Sequence, residues 1–253
     1  MASYHGYVLI LLIVFMYNKV IYGNCDLFKP NNNPILYPKV CREVQLKGAT
    51  EDGIYTICPV SWTQPINVYC DLTTENGGWT VFQRRKDGSV DFYCTWDEYR
   101  QGFGTPSGEL WLGNDLIHVM TANGAHELRV DLENWDGLKV QAYYGNFQVA
   151  SETDKFRLTI GNFLGGSAGD GLSEVNNQFF TTKDADNDIH ATSNCATDYT
   201  SGFWYNACFK VNPNGIYRPS SVTDGYAQGI VWLPWKDYRY SLKVTEMKFR
   251  PVV

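Results

Sequence analysis

The chain has 253 residues, with 21 Lys and Arg against 27 Asp and Glu, so its formal net charge is −6. An acidic chain gains little from counterion release on nucleic acid or from attraction to anionic lipid, so neither class of partner is expected. Only four histidines are present, and the sequence has no C-x-x-C, H-E-x-x-H or phosphate-loop motif. This argues against the common zinc and catalytic sites, and we expect a binding protein rather than an enzyme.

The N-terminal residues have the composition of a secretory signal. Positions 8–16 read VLILLIVFM, which is too short to cross a bilayer but has the length of a signal-peptide core. We assign residues 1–23 to a signal peptide, residues 24–40 to a short extended leader and residues 41–253 to one domain. No later stretch has the length and hydropathy of a membrane span. Seven cysteines behind a signal peptide predict a secreted, disulfide-bonded protein.

Alternating apolar and polar residues in the middle of the chain predict an antiparallel meander. Within 126–135 (HELRVDLENW), Leu128, Val130 and Leu132 alternate with charged residues, as in a strand with one buried face. The Asp-Gly pair at 136–137 follows as a hairpin turn signal. Further strands are predicted at 79–84, 139–150, 156–163 and 241–250, and short helices at 96–100 and at 115–120 with Asn114 as a candidate N-cap.

Residues 165–226 differ from the preceding part because they are rich in Gly, Asn, Asp, Ser and Thr and show little periodicity. A loop region of this length needs a disulfide, a metal or both to hold it. Asp184, Asp186 and Asp188 alternate in this region, and closely spaced carboxylates of this kind suit calcium. The pattern departs from an EF-hand at Ile189 and Cys195, so it indicates another type of calcium site or a solvated acidic turn.

Aromatic residues follow the acidic segment. A bridge between Cys195 and Cys208 would close a loop of about 14 residues, worth about 3 kcal/mol on the chain-entropy model, and would hold these aromatics beside the acidic loop. We expect Trp204 to belong to the core. Tyr199, Tyr226 and Tyr238 have polar or Gly neighbours and are better candidates for lining a pocket.

Several segments, in order along the chain, resemble the fibrinogen C-terminal domain family. The resemblance covers residue 41 to the C-terminus. Within the family, the motifs look most like those of ficolins, tachylectin-type lectins and invertebrate fibrinogen-related proteins. The matching segments are GGWTVFQRR (77–85), DGSVDF (87–92), GFG (102–104), ELWLGN (109–114), the Asn-Asp pair at 187–188, NCA (194–196), NGIY (214–217) and EMK (246–248).

The resemblance implies an α+β fold, with a small N-terminal subdomain, a central twisted antiparallel sheet, few short helices and a loop-rich subdomain that holds calcium and ligand. It implies disulfides Cys41–Cys70 and Cys195–Cys208. It also implies a Ca²⁺ site built from two carboxylates and two main-chain carbonyls. Ser193 looks like an insertion relative to the family, which loosens the match at the two carbonyls. The implied metal ligands are Asp186, Asp188, His190 and Thr192.

The family's acetyl-group pocket lies beside the calcium loop and uses tyrosines and the backbone N–H of the second disulfide cysteine. Here that cysteine is Cys208, and the Ala207–Cys208 peptide bond is the one that is often cis. Two departures remove polar groups near the pocket, because Phe209 and Thr223 stand where relatives usually carry histidine. The implied ligand-binding residues are Tyr199, Ala207, Cys208, Phe209, Tyr226 and Tyr238.

Three cysteines remain after the two implied bridges. The simplest pairing joins Cys58 to Cys94 and leaves Cys25, in the leader, to link copies of the chain into a homo-oligomer. The resulting prediction is a secreted, calcium-dependent lectin that binds acetylated sugars on microbial or host surfaces. The alternative is an extracellular module that uses the same loops to bind a protein.

Overall fold

The computed structural model describes residues 25–28, 34–222 and 225–252. Within these residues the strands form one nine-stranded antiparallel sheet and four two-stranded ladders. The predicted signal peptide and Thr223 lie outside the described residues. The strands are β1 (Asp26–Phe28), β2 (Pro34–Leu36), β3 (Gly53–Ile57), β4 (Ile66–Asp71), β5 (Trp79–Arg85), β6 (Phe103–Gly104), β7 (Leu110–Trp111), β8 (His126–Glu133), β9 (Lys139–Tyr144), β10 (Gln148–Val149), β11 (Leu158–Thr159), β12 (Phe163–Gly165), β13 (Phe180–Thr181), β14 (Phe203–Trp204), β15 (Val211–Asn212), β16 (Val231–Trp232) and β17 (Val244–Pro251).

The main path of the large sheet runs β12-β9-β8-β17-β5-β4-β3, so the last strand of the chain lies at its centre. Strand β17 pairs with β8 over eight residues and with β5 on its other side. The predicted hairpin joins β8 to β9, and its turn is held by the Asn134 side chain, whose Oδ1 accepts Leu138 N–H at 2.8 Å. Residues in β8 alternate between buried and half-buried, as the sequence predicts.

Two predicted strands are interrupted in the structure. The segment 139–150 divides into β9 and β10 because Asn146 adopts a φ of +50°, which a strand does not accommodate. The segment 156–163 contains only β11 before Gly161, whose N–H donates to Gly145 O at 2.6 Å. The β10–β11 ladder is therefore separate from the large sheet.

The α-helices within the described residues are short, and none is long and apolar enough to cross a membrane. The second begins with a capping box, in which Thr95 and Glu98 exchange hydrogen bonds. The candidate N-cap of the third helix is wrong: the helix begins at Asn114, whose Oδ1 accepts the Trp111 indole N–H at 3.0 Å instead. The helices are α1 (Cys41–Leu46), α2 (Trp96–Gln101), α3 (Asn114–Thr121) and α4 (Cys195–Asp198).

Aromatic side chains join the large sheet to the loop-rich C-terminal part. Trp111 of β7 lies 5.7 Å from Phe82 and 5.9 Å from Trp204, ring centroid to centroid. Trp204 is fully buried, as predicted, and its indole N–H donates to Phe156 O at 2.7 Å. The core therefore continues from the sheet into the region that contains little regular structure.

Three disulfides are present among the described residues. Cys41–Cys70 ties α1 to β4, and Cys195–Cys208 closes the loop after α4, as the resemblance implies. The third joins Cys25 to Cys58 and leaves Cys94 as the free thiol, so the predicted Cys58–Cys94 bridge and the intermolecular role of Cys25 are wrong.

The β1–β2 ladder explains the Cys25 pairing. It turns the segment after Cys25 back toward the domain, where Pro38 O accepts Cys58 N–H at 2.7 Å. The predicted leader is therefore attached to the domain through a disulfide. Cys94 instead lies just before α2, and burial raises the pKa of its thiol to about 12, with Glu98 and Asp91 adding to the rise.

Candidate functional site

The site lies around the Cys195–Cys208 disulfide, where the first cysteine begins α4. Asn194 is the N-cap of this helix, and its Oδ1 accepts Ala196 N–H at 2.7 Å. Its Nδ2 donates to Thr182 O at 2.9 Å. The Asn194 side chain thus accepts the Ala196 and Thr197 N–H groups of the first turn and connects the helix to the acidic segment before it.

A small pocket of about 200 Å³ opens beside the second cysteine. All six residues implied as ligand-binding line it, although they come from four separate parts of the chain. Sequence analysis missed one lining residue, Ala227, which adopts a φ of +60° and donates its N–H to Tyr238 O at 2.9 Å. Nothing in the composition around Ala227 signals this role. The lining residues are Tyr199, Ala207, Cys208, Phe209, Tyr226, Ala227 and Tyr238.

Aromatic rings form the walls of the pocket. Phe209 contacts Tyr199 edge-on at 4.7 Å between centroids, and Tyr226 tilts against Tyr238 at 4.8 Å. The Tyr238 hydroxyl donates to Phe209 O at 2.9 Å, which fixes one wall to the other. Burial raises the pKa of both Tyr199 and Tyr238, so their phenols stay neutral at physiological pH.

The Ala207–Cys208 peptide bond is cis. Cys208 O accepts Asn206 N–H at 2.8 Å, whereas Cys208 N–H donates to no acceptor within the described residues. An uncommitted backbone donor is thus present in the lining of a small pocket with aromatic walls. Groups of this kind fix the orientation of a small ligand that has one carbonyl oxygen.

The aspartates of the acidic segment differ in their contacts. Asp184 Oδ1 accepts Trp96 N–H at 2.9 Å and the Thr182 hydroxyl at 2.8 Å, so this carboxylate connects the loop to the start of α2. Asp186 is exposed and forms no ion pair with a described Lys or Arg. Spacing alone did not distinguish the structural carboxylate from the other two.

Asp188 is half-buried and accepts backbone N–H groups from His190 at 2.8 Å and from Cys195 at 2.9 Å. Burial raises the pKa of this carboxyl, and the negative charge of Asp186 adds to the rise, while the two N–H donors oppose it. The two carboxylates are therefore close enough to interact, and neither forms an ion pair with a described Lys or Arg.

The implied metal ligands are carboxylate and main-chain carbonyl oxygens, the donor types that calcium prefers. The carbonyl oxygens of His190 and Thr192 accept no hydrogen bond from the described residues, so four oxygens of the implied set are uncommitted or only partly committed. No group of three or more His, Cys, Asp or Glu side chains within these residues could hold a metal. A cation at this loop would therefore depend on main-chain oxygens, which calcium accepts readily.

Ser193, which looked like an insertion, is tied to both sides of the loop. Its hydroxyl donates to Asp198 Oδ2 at 2.7 Å and lies 3.1 Å from His190 Nδ1. The Ile189 N–H donates to Asn206 O at 3.3 Å, next to the pocket residue Ala207. A backbone hydrogen bond thus links the acidic loop to the segment that lines the pocket.

A larger cavity of about 420 Å³ lies on the polar face of the large sheet, lined by Asp71, Asp131, Glu246 and Lys248 among others. Lys248 Nζ already contacts these three carboxylates at 2.5, 2.7 and 3.0 Å. Because its charged groups are paired with one another, this cavity is a less suitable ligand site than the smaller pocket.

Comparison with known proteins agrees with this architecture. The family model described as "Fibrinogen beta and gamma chains, C-terminal globular domain" matches residues 37–252. Fibrinogen C domain-containing protein 1-B of Xenopus laevis is 44% identical over 219 residues, covering 85% of this chain and 47% of that protein. Ryncolin-4 of Cerberus rynchops is 43% identical over 211 residues, covering 83% of this chain and 60% of that protein. The chain thus spans about half the length of the first of these relatives.

Solved structures show the same fold. The fibrinogen-like globe domain of human ANGPTL6 superposes with a TM-score of 0.82 at 37% identity, covering 90% of this chain and 98% of that one. Lamprey fibrin D-dimer, complexed with the peptide ligand Gly-His-Arg-Pro-amide, gives a TM-score of 0.80 at 33% identity. The match covers 97% of this chain and 83% of the lamprey chain. The predicted α+β fold is confirmed, and the chain belongs to the fibrinogen C-terminal globular domain family.

Proposed function

We propose that the protein is a secreted recognition protein that binds N-acetyl groups of glycans in the pocket beside Cys208. The observation that carries the proposal is the combination of a small pocket with aromatic walls and the uncommitted Cys208 N–H in its lining. An acetyl methyl would contact the aromatic walls, and its carbonyl oxygen would accept from the backbone donor. This recognition needs no proton transfer and no nucleophile, in keeping with a binding role rather than catalysis.

Calcium is proposed as the cofactor of this site. Asp186 and Asp188 would supply the carboxylates, and His190 and Thr192 the carbonyl oxygens. A bound Ca²⁺ supplies positive charge that relieves the repulsion between the two aspartates. The chain's own residues then hold the pocket in place, because the Ile189–Asn206 hydrogen bond connects the loop to the cis peptide.

A second function, recognition of a protein ligand in the same pocket, is favoured by two observations. The lamprey fibrin domain of the same fold is described as a complex with a peptide. Here Tyr226 is 57% exposed and Ile189, which is bonded to Asn206 beside the pocket, is 63% exposed. Exposed side chains with apolar surface in and near a pocket suit a peptide as well as a sugar.

The test is a glycan array probed with the secreted protein in calcium and in EDTA, beside a double Asp186→Asn, Asp188→Asn variant. We expect signal on N-acetylated glycans that is lost in EDTA and in the variant, while Asp154→Asn, at an exposed ion pair with Arg157, retains it. Folding of each variant is checked by thermal unfolding. With a dissociation constant on the order of 10⁻⁴–10⁻³ M, saturating calcium at ten millimolar stabilises the wild type by about 1.4–2.7 kcal/mol.

A folded protein that binds no acetylated glycan in either condition would contradict the sugar proposal and leave peptide recognition. Calcium stabilisation that persists in the double variant would contradict the metal assignment alone. The two parts of the proposal are thus separable by one set of proteins.

A further inference from the structure

The chain contains three Asn-Gly pairs, at 76–77, 123–124 and 214–215. In such a pair the glycine backbone nitrogen can attack the side-chain carbonyl carbon of the asparagine. A new C–N bond forms and ammonia leaves, and water then opens the cyclic imide to give aspartate or isoaspartate. The attack needs a glycine nitrogen that is free of hydrogen bonds and a backbone that can rotate, and glycine assists because it has no Cβ.

The pair at 123–124 meets both requirements. It lies in the turn between α3 and β8, and both residues are exposed. Gly124 has a φ of +84°, and a Cβ added there would meet nothing within 4 Å, so no packed neighbour restricts this side of the turn. The Gly124 N–H donates to no acceptor within the described residues.

The pair at 76–77 shows that exposure of the asparagine is not sufficient. Asn76 is also exposed, yet Gly77 is buried and its N–H donates to Thr74 O at 2.8 Å. A Cβ on Gly77 would lie 2.2 Å from Leu72 O, which shows how closely the chain is packed there. Asn76 O also accepts the Gln45 amide at 2.7 Å, so rotation of this turn breaks several contacts.

The pair at 214–215 is protected more completely. Asn214 is fully buried and its side-chain amide donates to Gly202 O at 2.8 Å. Gly215 N–H donates to Asn212 O at 3.2 Å. Neither the reacting carbon nor the attacking nitrogen is free in the folded protein.

We propose that Asn123 is a modification site, at which the folded protein deamidates spontaneously while Asn76 and Asn214 are protected. Each event adds one negative charge, and the isoaspartate product lengthens the main chain by one methylene in the turn that leads into β8. No residue of this turn lines the pocket beside Cys208, so the modification is independent of the proposed function.

The experiment ages the folded, disulfide-intact protein in mildly alkaline buffer and follows deamidation by mass spectrometry of tryptic peptides. The three pairs fall in separate peptides, 48–84, 101–129 and 211–236. We expect Asn123 to convert faster than the other two by on the order of tenfold or more, because protected glycines react only from opened states. Ageing in denaturant should bring the three rates together.

The Asn123→Gln variant is the matched control, because its longer side chain disfavours the ring and the exposed site tolerates it. Conversion in peptide 101–129 should disappear in the variant and remain unchanged in the other peptides. Equal rates at Asn123 and Asn76 in the folded protein would overturn the proposal. So would an Asn123 that stays intact when folded but converts readily in denaturant.

Discussion

The large sheet and the loop-rich region after it are stabilised in different ways. In the sheet, backbone ladders supply the hydrogen bonds, and side chains add ion pairs such as Arg250–Glu127 at 2.5 Å across its polar face. In the region 165–243, strands are only two or three residues long, and asparagine side chains bond the backbone instead. Asn214 and Asn187 do so to Gly202 O and Phe180 O. The sheet depends on residue pattern, whereas the loops depend on individual side chains and a disulfide.

The difference matters because the candidate site lies in the loops. A loop held by single contacts can place backbone donors and carbonyls at a ligand, which a complete ladder cannot, since its groups are already paired. The two regions should therefore respond differently to substitution: the sheet should lose stability, and the loops should lose ligand binding.

The largest loss of stability is expected in the sheet, from Lys248→Met. Lys248 is 2% exposed, and it overcomes the burial of Asp71 to hold the pKa of that carboxyl below its ordinary value. Removing the ammonium leaves the buried Asp71 without a cationic partner, while Asp131 and Glu246 keep Arg129 and Arg84. The loss should cost about 3–5 kcal/mol in the free energy of unfolding measured in urea. The control Lys243→Met removes an exposed partner of Glu133 and should cost no more than about 1 kcal/mol. Similar costs for the two variants would contradict this account of the cluster.

Removal of the Cys195–Cys208 bond tests the loops. Cys195→Ala with Cys208→Ala should lower the free energy of unfolding by about 3 kcal/mol and also abolish ligand binding, since the pocket is built around Cys208. The matched control removes Cys41–Cys70 from the sheet side, which should cost about 3.6 kcal/mol on the same model but retain calcium-dependent binding. Loss of binding in both variants would show that the pocket depends on global stability alone.

The smallest predicted effect is a pH dependence of the free energy of unfolding, which comes from a histidine in the sheet. His126 begins β8, is 3% exposed, and its burial lowers the imidazole pKa below the ordinary value. The unfolded chain takes up this proton as the pH falls through about 6.5, before the folded protein does, so stability should decrease as the pH falls below that value. The slope is at most about 1.4 kcal/mol per pH unit for one proton. His126→Phe, followed by urea unfolding, should reduce the slope, and an unchanged slope would assign the effect to other groups.

Strand β8 and the hairpin after it could be predicted because alternation and an Asp-Gly turn are local signals. The cap of α3 was mispredicted because the Asn114 side chain bonds Trp111, and that contact depends on how the helix packs. The predicted cysteine pairing was wrong for a similar reason. An odd number of cysteines leaves one thiol free, but the number does not say which one. In the folded chain the β1–β2 ladder follows Cys25 directly, and Cys25 is bonded to Cys58.

For the site, the sequence by itself determined the residue types: alternating carboxylates, tyrosines and a pair of cysteines, which the family resemblance arranged into a pocket. Only the tertiary structure decided that Asp184 supports α2 while Asp186 and Asp188 remain together, and that Ala227 joins the lining. The physical reason is the range of the interactions. Alternation and turn preferences act between neighbours in the chain, whereas a pocket depends on backbone groups left unpaired after distant segments have packed.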